Sequence, residues 1–445
     1  MKKLIAVLLI AAMCALPLAS CKGGTSVPTP GTGTTQTGKP TSETPTQTPT
    51  EAPTEKPTEP VITPDNPDAP DDPYALTAEV PADGVIRTAA ELQAVLTKGV
   101  LSATYRVEAE ALDMSRVKYP GLGTDTEAFS GSFDFGGCTV SGLSSPLFNY
   151  TEDAEIANLT VADTDISFTK SGVAAYGLIV SSMKGGSLKN IRLSESVKLD
   201  VNLYTTNARL GGIVGKVEGG KKAVLLDGCV SYGTLVTDSD KIWMGGIAGS
   251  VNAADAIVSE CINYGSVTDN AIGYDSKIGG IAGSAKTVTF RRCANYGDVT
   301  SNEEKGQAAG ICAYFEGSAF LITACFNQGK VSGGQYTGGI VAYTNRDSGT
   351  VEWCINLGTV ENSAKDGYLS AALWGCAKKK EVIRDCYWLA TSNATGATTQ
   401  NDAKQERLES FADLDALRAL LETKEELKNS FTVTETGLAF AAKGE

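Results

Sequence analysis

Histidine is absent from all 445 residues. That removes the commonest general base, the commonest catalytic-zinc ligand and the usual partner of a serine or cysteine nucleophile. An H-E-x-x-H zinc protease is excluded outright. Any enzyme on this chain would have to work with carboxylates, Lys, Arg or Tyr. Aromatic residues are scarce at 7%, and charged residues reach only 20%. Basic side chains are outnumbered 38 to 52, a net charge of −14, so nucleic acids and anionic lipid surfaces would be repelled. The longest apolar run, Leu4–Leu16, falls short of the ~20 residues a bilayer-spanning helix requires.

That run follows Lys2 and Lys3 and precedes Leu18-Ala19-Ser20-Cys21, the layout of an export leader over residues 1–20. The tetrapeptide resembles a bacterial lipobox. The resemblance implies cleavage before Cys21, acylation of Cys21, and a protein held in a lipid bilayer by its acyl chains on the extracellular face of the cell envelope. Loss of the leader would remove two lysines and no acid, taking the charge to −16. Residues 21–73 contain almost nothing to bury: Pro45-Thr46, Pro49-Thr50, Pro53-Thr54 and Pro57-Thr58 sit among Gly, Ser and Glu. This composition predicts a disordered stalk; in polyproline geometry ~50 residues at ~3.1 Å each would reach ~150 Å.

The second half of the chain is periodic. Cys229, Cys261, Cys293 and Cys325 fall at one interval of 32 residues, and Cys354 and Cys386, themselves 32 apart, follow three residues out of phase. Around them recur Cys261-Ile262-Asn263-Tyr264-Gly265-Ser266-Val267, Cys293-Ala294-Asn295-Tyr296-Gly297-Asp298-Val299, Cys325-Phe326-Asn327-Gln328-Gly329-Lys330-Val331 and Cys354-Ile355-Asn356-Leu357-Gly358-Thr359-Val360. A period this long means stacked structural repeats. Ile156–Val161 and Leu188–Leu193 read as degenerate earlier copies. A second anchor, Gly-Gly-Ile, appears at Gly211, Gly245, Gly279 and Gly338, as Ala309-Gly310-Ile311, and as Ala371-Ala372-Leu373. Small residues there let neighbouring backbones pack closely where each coil turns. A third apolar row, Leu226, Val258, Phe290, Ile322, Val351 and Ile383, precedes each cysteine by three positions; that spacing breaks strand alternation and requires a bend between the two.

These residues, Gly-Gly-Ile-x-Gly followed by Cys-x-Asn-x-Gly-x-Val, resemble the GLUG-type repeat of bacterial surface proteins. The stretch Phe129–Asp134 with Thr139–Leu143 resembles the usual entrance to such arrays. The resemblance spans about residues 85–390. It implies an all-β, right-handed parallel β-helix of about eight to nine coils, displayed on a bacterial surface and often classed with adhesins; it names no ligand. The division expected is an N-terminal capping module at 74–140, β-helix repeats at 141–390 and a C-terminal helical cap at 391–445. Thr88-Ala89-Ala90-Glu91 is a capping-box pattern predicting a helix over 88–98. The spacing of Leu408, Phe411, Leu414, Leu417, Leu420 and Leu421 predicts another near 408–428 that caps the far end, followed by a hairpin of Phe431–Val433 and Leu438–Phe440.

Equivalent cysteines on stacked coils project in parallel, so Cys229, Cys261, Cys293, Cys325, Cys354 and Cys386 read as a ladder of buried thiols, with pairing of the off-ladder Cys312 and Cys376 left open. Asn263, Asn295, Asn327 and Asn356 read as an internal amide ladder. Tyr232, Tyr264 and Tyr296 form an aromatic row that could pack on itself or stack on sugar rings. Loops 237–243, 269–277, 301–307, 332–336 and 362–368 align on one side of a solenoid, where such proteins bind. They carry Asp238, Asp240, Asp269, Asp275, Glu303, Glu304 and Asp366. Calcium at Asp238 and Asp240 lacks the glycine-rich nonapeptide that would support it, and Arg291-Arg292 is a candidate basic site at a corner. No metal and no cofactor is called for. The composite expectation is a monomeric, non-catalytic surface lipoprotein that binds a glycan or a protein. The alternatives are a carbohydrate-active lyase or hydrolase on a β-helix and a plain spacer.

Overall fold

The computed structural model describes residues 76–442, apart from 318, 346–347, 364–366, 379, 394 and 401–402. The expected leader, Cys21, the expected stalk and Asp366 lie outside the described residues.

One coil shows how the repeat folds. Trp243–Gly245 is a short strand; the chain then bends at Gly246-Ile247 and runs through Ala248–Ser259. It turns at Glu260, continues through Ile262–Asn263, turns again at Tyr264-Gly265, and forms Val267–Asp269. A loop then returns it to Lys277, directly in register with Trp243. Met244, Ile247, Val251, Val258, Cys261 and Val267 all point inward and are buried. Repetition of this path gives an all-β parallel solenoid of about nine turns. Every strand pair in register is parallel except the terminal hairpin. A single apolar cluster fills the interior from Ile86 to Ala397.

The bend expected before each cysteine is a single residue in the left-handed region. It is Gly137, Asn158, Asn190 and Gly228 in the early coils, then Glu260, Arg292, Ala324, Trp353, Asp385 and Arg407, all with φ between 50° and 85°. Gly and Asn suit that conformation; for the later residues it costs roughly 1–2 kcal/mol each, borne by the packing on both sides.

The helix expected at 88–98 is α1, Ala89–Lys98, with Thr88 and Glu91 forming the capping box. Its Leu92, Val95 and Leu96 are buried against the interior cluster. Around it, Val85–Ile86, Thr104–Val107 and Ser132–Asp134 already stack in parallel register. The C-terminal expectation needs correction. Leu408 and Phe411 are not helical: Lys404–Phe411 is one more parallel strand, with Leu408 beside Cys386. The helix is shorter, α2 at Leu414–Thr423 capped by Asp413, followed by α3 at Glu425–Ser430. With the hairpin they lie along the side of the stack. Leu417, Leu421, Leu427, Phe431 and Leu438 cover the outward row Ala294, Phe326, Ile355 and Tyr387.

Candidate ligand-binding groove

The structure places the sequence-derived residues as follows. Cys229, Cys261, Cys293, Cys325, Cys354 and Cys386 are fully buried and free, as are Cys138, Cys312 and Cys376. The ladder sulfurs reach back to a carbonyl of the preceding coil, as in Cys261 Sγ to Leu226 O at 3.6 Å and Cys293 Sγ to Val258 O at 3.3 Å. Burial holds the thiols of Cys261, Cys293, Cys325 and Cys354 well above the ordinary range, which keeps them from acting as thiolates. Cys312 belongs to the interior cluster, whereas Cys376 stands on the outer wall beside Tyr343.

Asn263, Asn295, Asn327 and Asn356 form a continuous chain. Each Nδ2 donates to the Oδ1 of the next at 2.8 Å, and Asn356 ends it on Ser392 Oγ. Each also donates to the carbonyl two residues on. The second glycine of each Gly-Gly pair faces this ladder: a Cβ on Gly246, Gly280, Gly310 or Gly339 would come within 2.3–2.4 Å of an amide oxygen.

The tyrosines stack on one another. Tyr232, Tyr264 and Tyr296 stack 4.4 and 4.6 Å apart with nearly parallel rings, and Arg192 covers the free face of Tyr232 at 4.2 Å. Tyr296 donates to Leu438 O at 2.7 Å and meets the edge of Phe326. With the ring faces of Tyr264 taken on both sides, stacking on a sugar is not available to this row. Arg292 is likewise spent. It pairs with Glu260 at 2.7 Å and donates to Ser430 O and Ala441 O, anchoring the C-terminal unit.

The acidic loop residues divide. Asp238 and Asp240 are exposed, and Asp275 pairs with Lys277 at 2.9 Å. Asp269 and Glu303 are buried. Glu303 accepts from Lys241 N, Ser276 N and Ser276 Oγ, stitching three loops, and Asp269 accepts from Ala271 N. Burial, with Glu303 nearby, pushes Asp269 up to about 7. Both carboxylates serve the loops that hold them, so this is not a free acid–base pair. Among the described residues no three of Cys, Asp and Glu come together as a metal site.

What the sequence reading missed lies at the Gly-Gly bend. Here the outer sides of two strand stacks close on each other: a Cβ on Gly249 would sit 2.6 Å from Leu210 N, and one on Gly283 2.5 Å from Met244 N. The floor is therefore bare backbone, and the residues flanking it form two walls. One wall holds, rung by rung, Arg209, Trp243, Lys277, Gln307 and Tyr336. The other holds Lys216, Ser250, Ser284, Tyr314 and Tyr343. The Arg209 guanidinium lies 3.7 Å over the Trp243 ring, and Lys277 Nζ sits 5.7 Å from that ring and 5.2 Å from Tyr314. Tyr314, Tyr343 and Tyr336 stack in turn at 5.8 and 4.5 Å, and Lys378 donates to the Tyr343 hydroxyl at 2.7 Å. Arg209 Nε, Trp243 Nε1 and Gln307 Oε1 are buried without hydrogen-bond partners. Burial lowers the basicity of Arg209 and Lys277. The sequence signal was present but unread: these residues stand two before the first small anchor and one after the last, positions where a repeat kept only for packing has no use for Trp, Tyr or Arg.

No family model matches the chain, and no curated protein matches its sequence. A solved Bacteroides ovatus structure described as a "putative immunoglobulin A1 protease" aligns over 82% of this chain and 95% of its own, with TM-score 0.40 and 14% identity. Likeness at that level transfers no activity.

Proposed function

We propose that this chain is a non-catalytic, GLUG-type surface lipoprotein, anchored through acylated Cys21, that binds a glycan or protein ligand in the groove between Arg209 and Tyr343. The observation that carries this reading is the groove itself. Charged and aromatic side chains are costly to immobilise on a solenoid wall, yet they stand in consecutive rungs with three buried polar atoms unpartnered. An unpartnered buried polar atom costs about 1–3 kcal/mol. Retaining several along one strip suits a surface shaped for something other than stability. The protein would hold this strip away from the membrane on its stalk.

The test is binding of the full chain to glycan arrays and to host and cell-envelope protein preparations, beside Trp243→Ala and Tyr314→Ala. Binding that is lost in both variants while the fold persists is the expected result. Binding that ignores both, or no binding at all, sinks the reading. Release of reducing or unsaturated sugars from a polysaccharide would instead favour the enzyme alternative.

A further inference from the structure

The groove does not stop at Arg209. Its next rung toward the N-terminus is Ala175 on one wall and Ser182 on the other. Both line a cavity of about 760 Å³ that opens between the solenoid wall and the 120–125 and 144–150 segments. That volume lies in the range of small-molecule sites, roughly 300–1,000 Å³. Arg209 stands one rung beyond this lining, in register with Ala175, whose methyl group is the only side chain on that wall between the guanidinium and the cavity.

Arg209 has no carboxylate partner among the described residues. The acids that act on it through space are Glu316 and Glu218, and Glu218 is already bound to Lys216 at 2.9 Å. Two rungs on, Lys277 is neutralised by Asp275. Among the described residues of the strip, Arg209 and, at the far end, Lys378 on the Tyr343 hydroxyl are the cations with no carboxylate held against them, rather than a periodic series. The cavity beside it is lined mainly by hydroxyl and amide groups, including Ser144, Ser145, Asn149 and Thr169, with Tyr150 and Phe168 as apolar surfaces and with one charge of each sign, Lys170 and Asp125. Tyr150 is among the exposed large side chains. Hydroxyl-rich walls with isolated aromatic surfaces match a polyhydroxylated ring, and a single guanidinium on an aromatic bed matches one carboxylate.

We propose that this cavity and Arg209 form one subsite for an acidic oligosaccharide: the sugar rings occupy the cavity and a sugar carboxylate accepts from the Arg209 guanidinium. A densely charged polyanion is disfavoured, because the chain's net charge of −14 opposes it at long range, whereas one carboxylate meets Arg209 inside the ~8 Å screening length. An extended peptide is also a poorer match. Its residues advance ~3.3 Å each against a rung spacing of ~4.8 Å, whereas a pyranose ring is the longer unit.

This inference rests on the binding reading above, and calorimetry with the full chain separates the two. The probes are short oligogalacturonates and hyaluronan oligosaccharides, each beside its methyl-esterified form. We expect the acid form to bind about tenfold to a hundredfold more tightly than the ester, the range for a lost charge-assisted hydrogen bond. Arg209→Gln should abolish that preference with an unchanged melting temperature, and Arg209→Lys should restore part of it. Filling the cavity with Ser182→Trp should weaken both forms. Equal binding of acid and ester, unchanged by Arg209→Gln, would overturn the acidic-sugar assignment and leave the groove as a neutral-glycan site. No binding of either form, with a protein ligand still lost in Trp243→Ala, would overturn it while keeping the groove. Loss of both kinds of binding would overturn the two together.

Discussion

Asn295 offers the most direct test of how the coils are held. Its side chain is fully buried; Nδ2 donates to Gly297 O at 2.7 Å and to Asn327 Oδ1 at 2.8 Å, and Oδ1 accepts from Asn263 Nδ2 at 2.8 Å. Asn295→Ala deletes three hydrogen bonds at about 1 kcal/mol net each, and it leaves an Asn263 donor and two acceptors without partners in a dry interior. The expected loss is about 4 kcal/mol. Asn263 stands at the end of the same ladder, where Oδ1 already lacks a partner. Asn263→Ala removes two bonds and also removes that orphan, so its expected loss is about 2 kcal/mol. Guanidinium unfolding followed by tryptophan fluorescence and far-UV circular dichroism measures both, and a fall in slope would show that coils have begun to unfold separately. An equal or greater loss at Asn263 would refute the ladder account.

Four further outcomes follow from the same structure. Gly280→Ala would place a Cβ 2.2 Å from Gly310 O and 2.3 Å from Asn295 Oδ1, so denaturation should show a loss of about 2–3 kcal/mol; Gly219→Ala, whose Cβ meets nothing nearer than 3.9 Å, should stay within ~0.5 kcal/mol. Asp269, at about 7, keeps its proton in the folded state between about pH 4 and 7 while the unfolded chain has released it. Stability should therefore fall as pH rises through that window, by up to ~4 kcal/mol, and Asp269→Asn should flatten the dependence; a profile unchanged by that substitution would refute it. Arg292→Ala cuts the contacts to Ser430 and Ala441 and the Glu260 pair, and limited proteolysis should then remove residues beyond 412 while the solenoid resists; cleavage at the wild-type rate would argue against the anchor. Alkylation mapped by mass spectrometry should leave the nine described cysteines unmodified in the native chain and modify all of them in denaturant without reductant; protection in denaturant would mean disulfides.

Much of the fold was legible because a solenoid repeats its reasons. The three-residue step from Val258 to Cys261 demanded a bend, and Glu260 supplies it at φ 53°. The capping box at Thr88 and Glu91 marked α1 to within a residue. The groove was not legible in the same way. Trp243 and Tyr314 are two coils apart and belong to different walls, yet their rings lie 6.3 Å apart; only the closing of two strand stacks at the Gly-Gly bend brings them together. Leu408 and Phe411 misled because a spacing of three and four residues serves a helix face and also a strand continuing an array. Pairing with Val382–Leu389 decided it, since an open rung next to a long, regular strand is satisfied by another strand.

The sequence by itself determined the register. Positions that must be small, amide-bearing or apolar in each coil recur because the same local contact is made at every rung, so Gly280 and Asn295 announce each other without reference to the rest of the molecule. Tertiary structure alone decided the surface. Whether a tyrosine spends its faces on its neighbours, as Tyr264 does, whether Arg292 is free or holds the C-terminal unit, and whether Arg209 lies over Trp243 all depend on which residues of other coils and of the terminal segment arrive beside them. Those meetings follow from the path of the whole chain, and no single repeat encodes them.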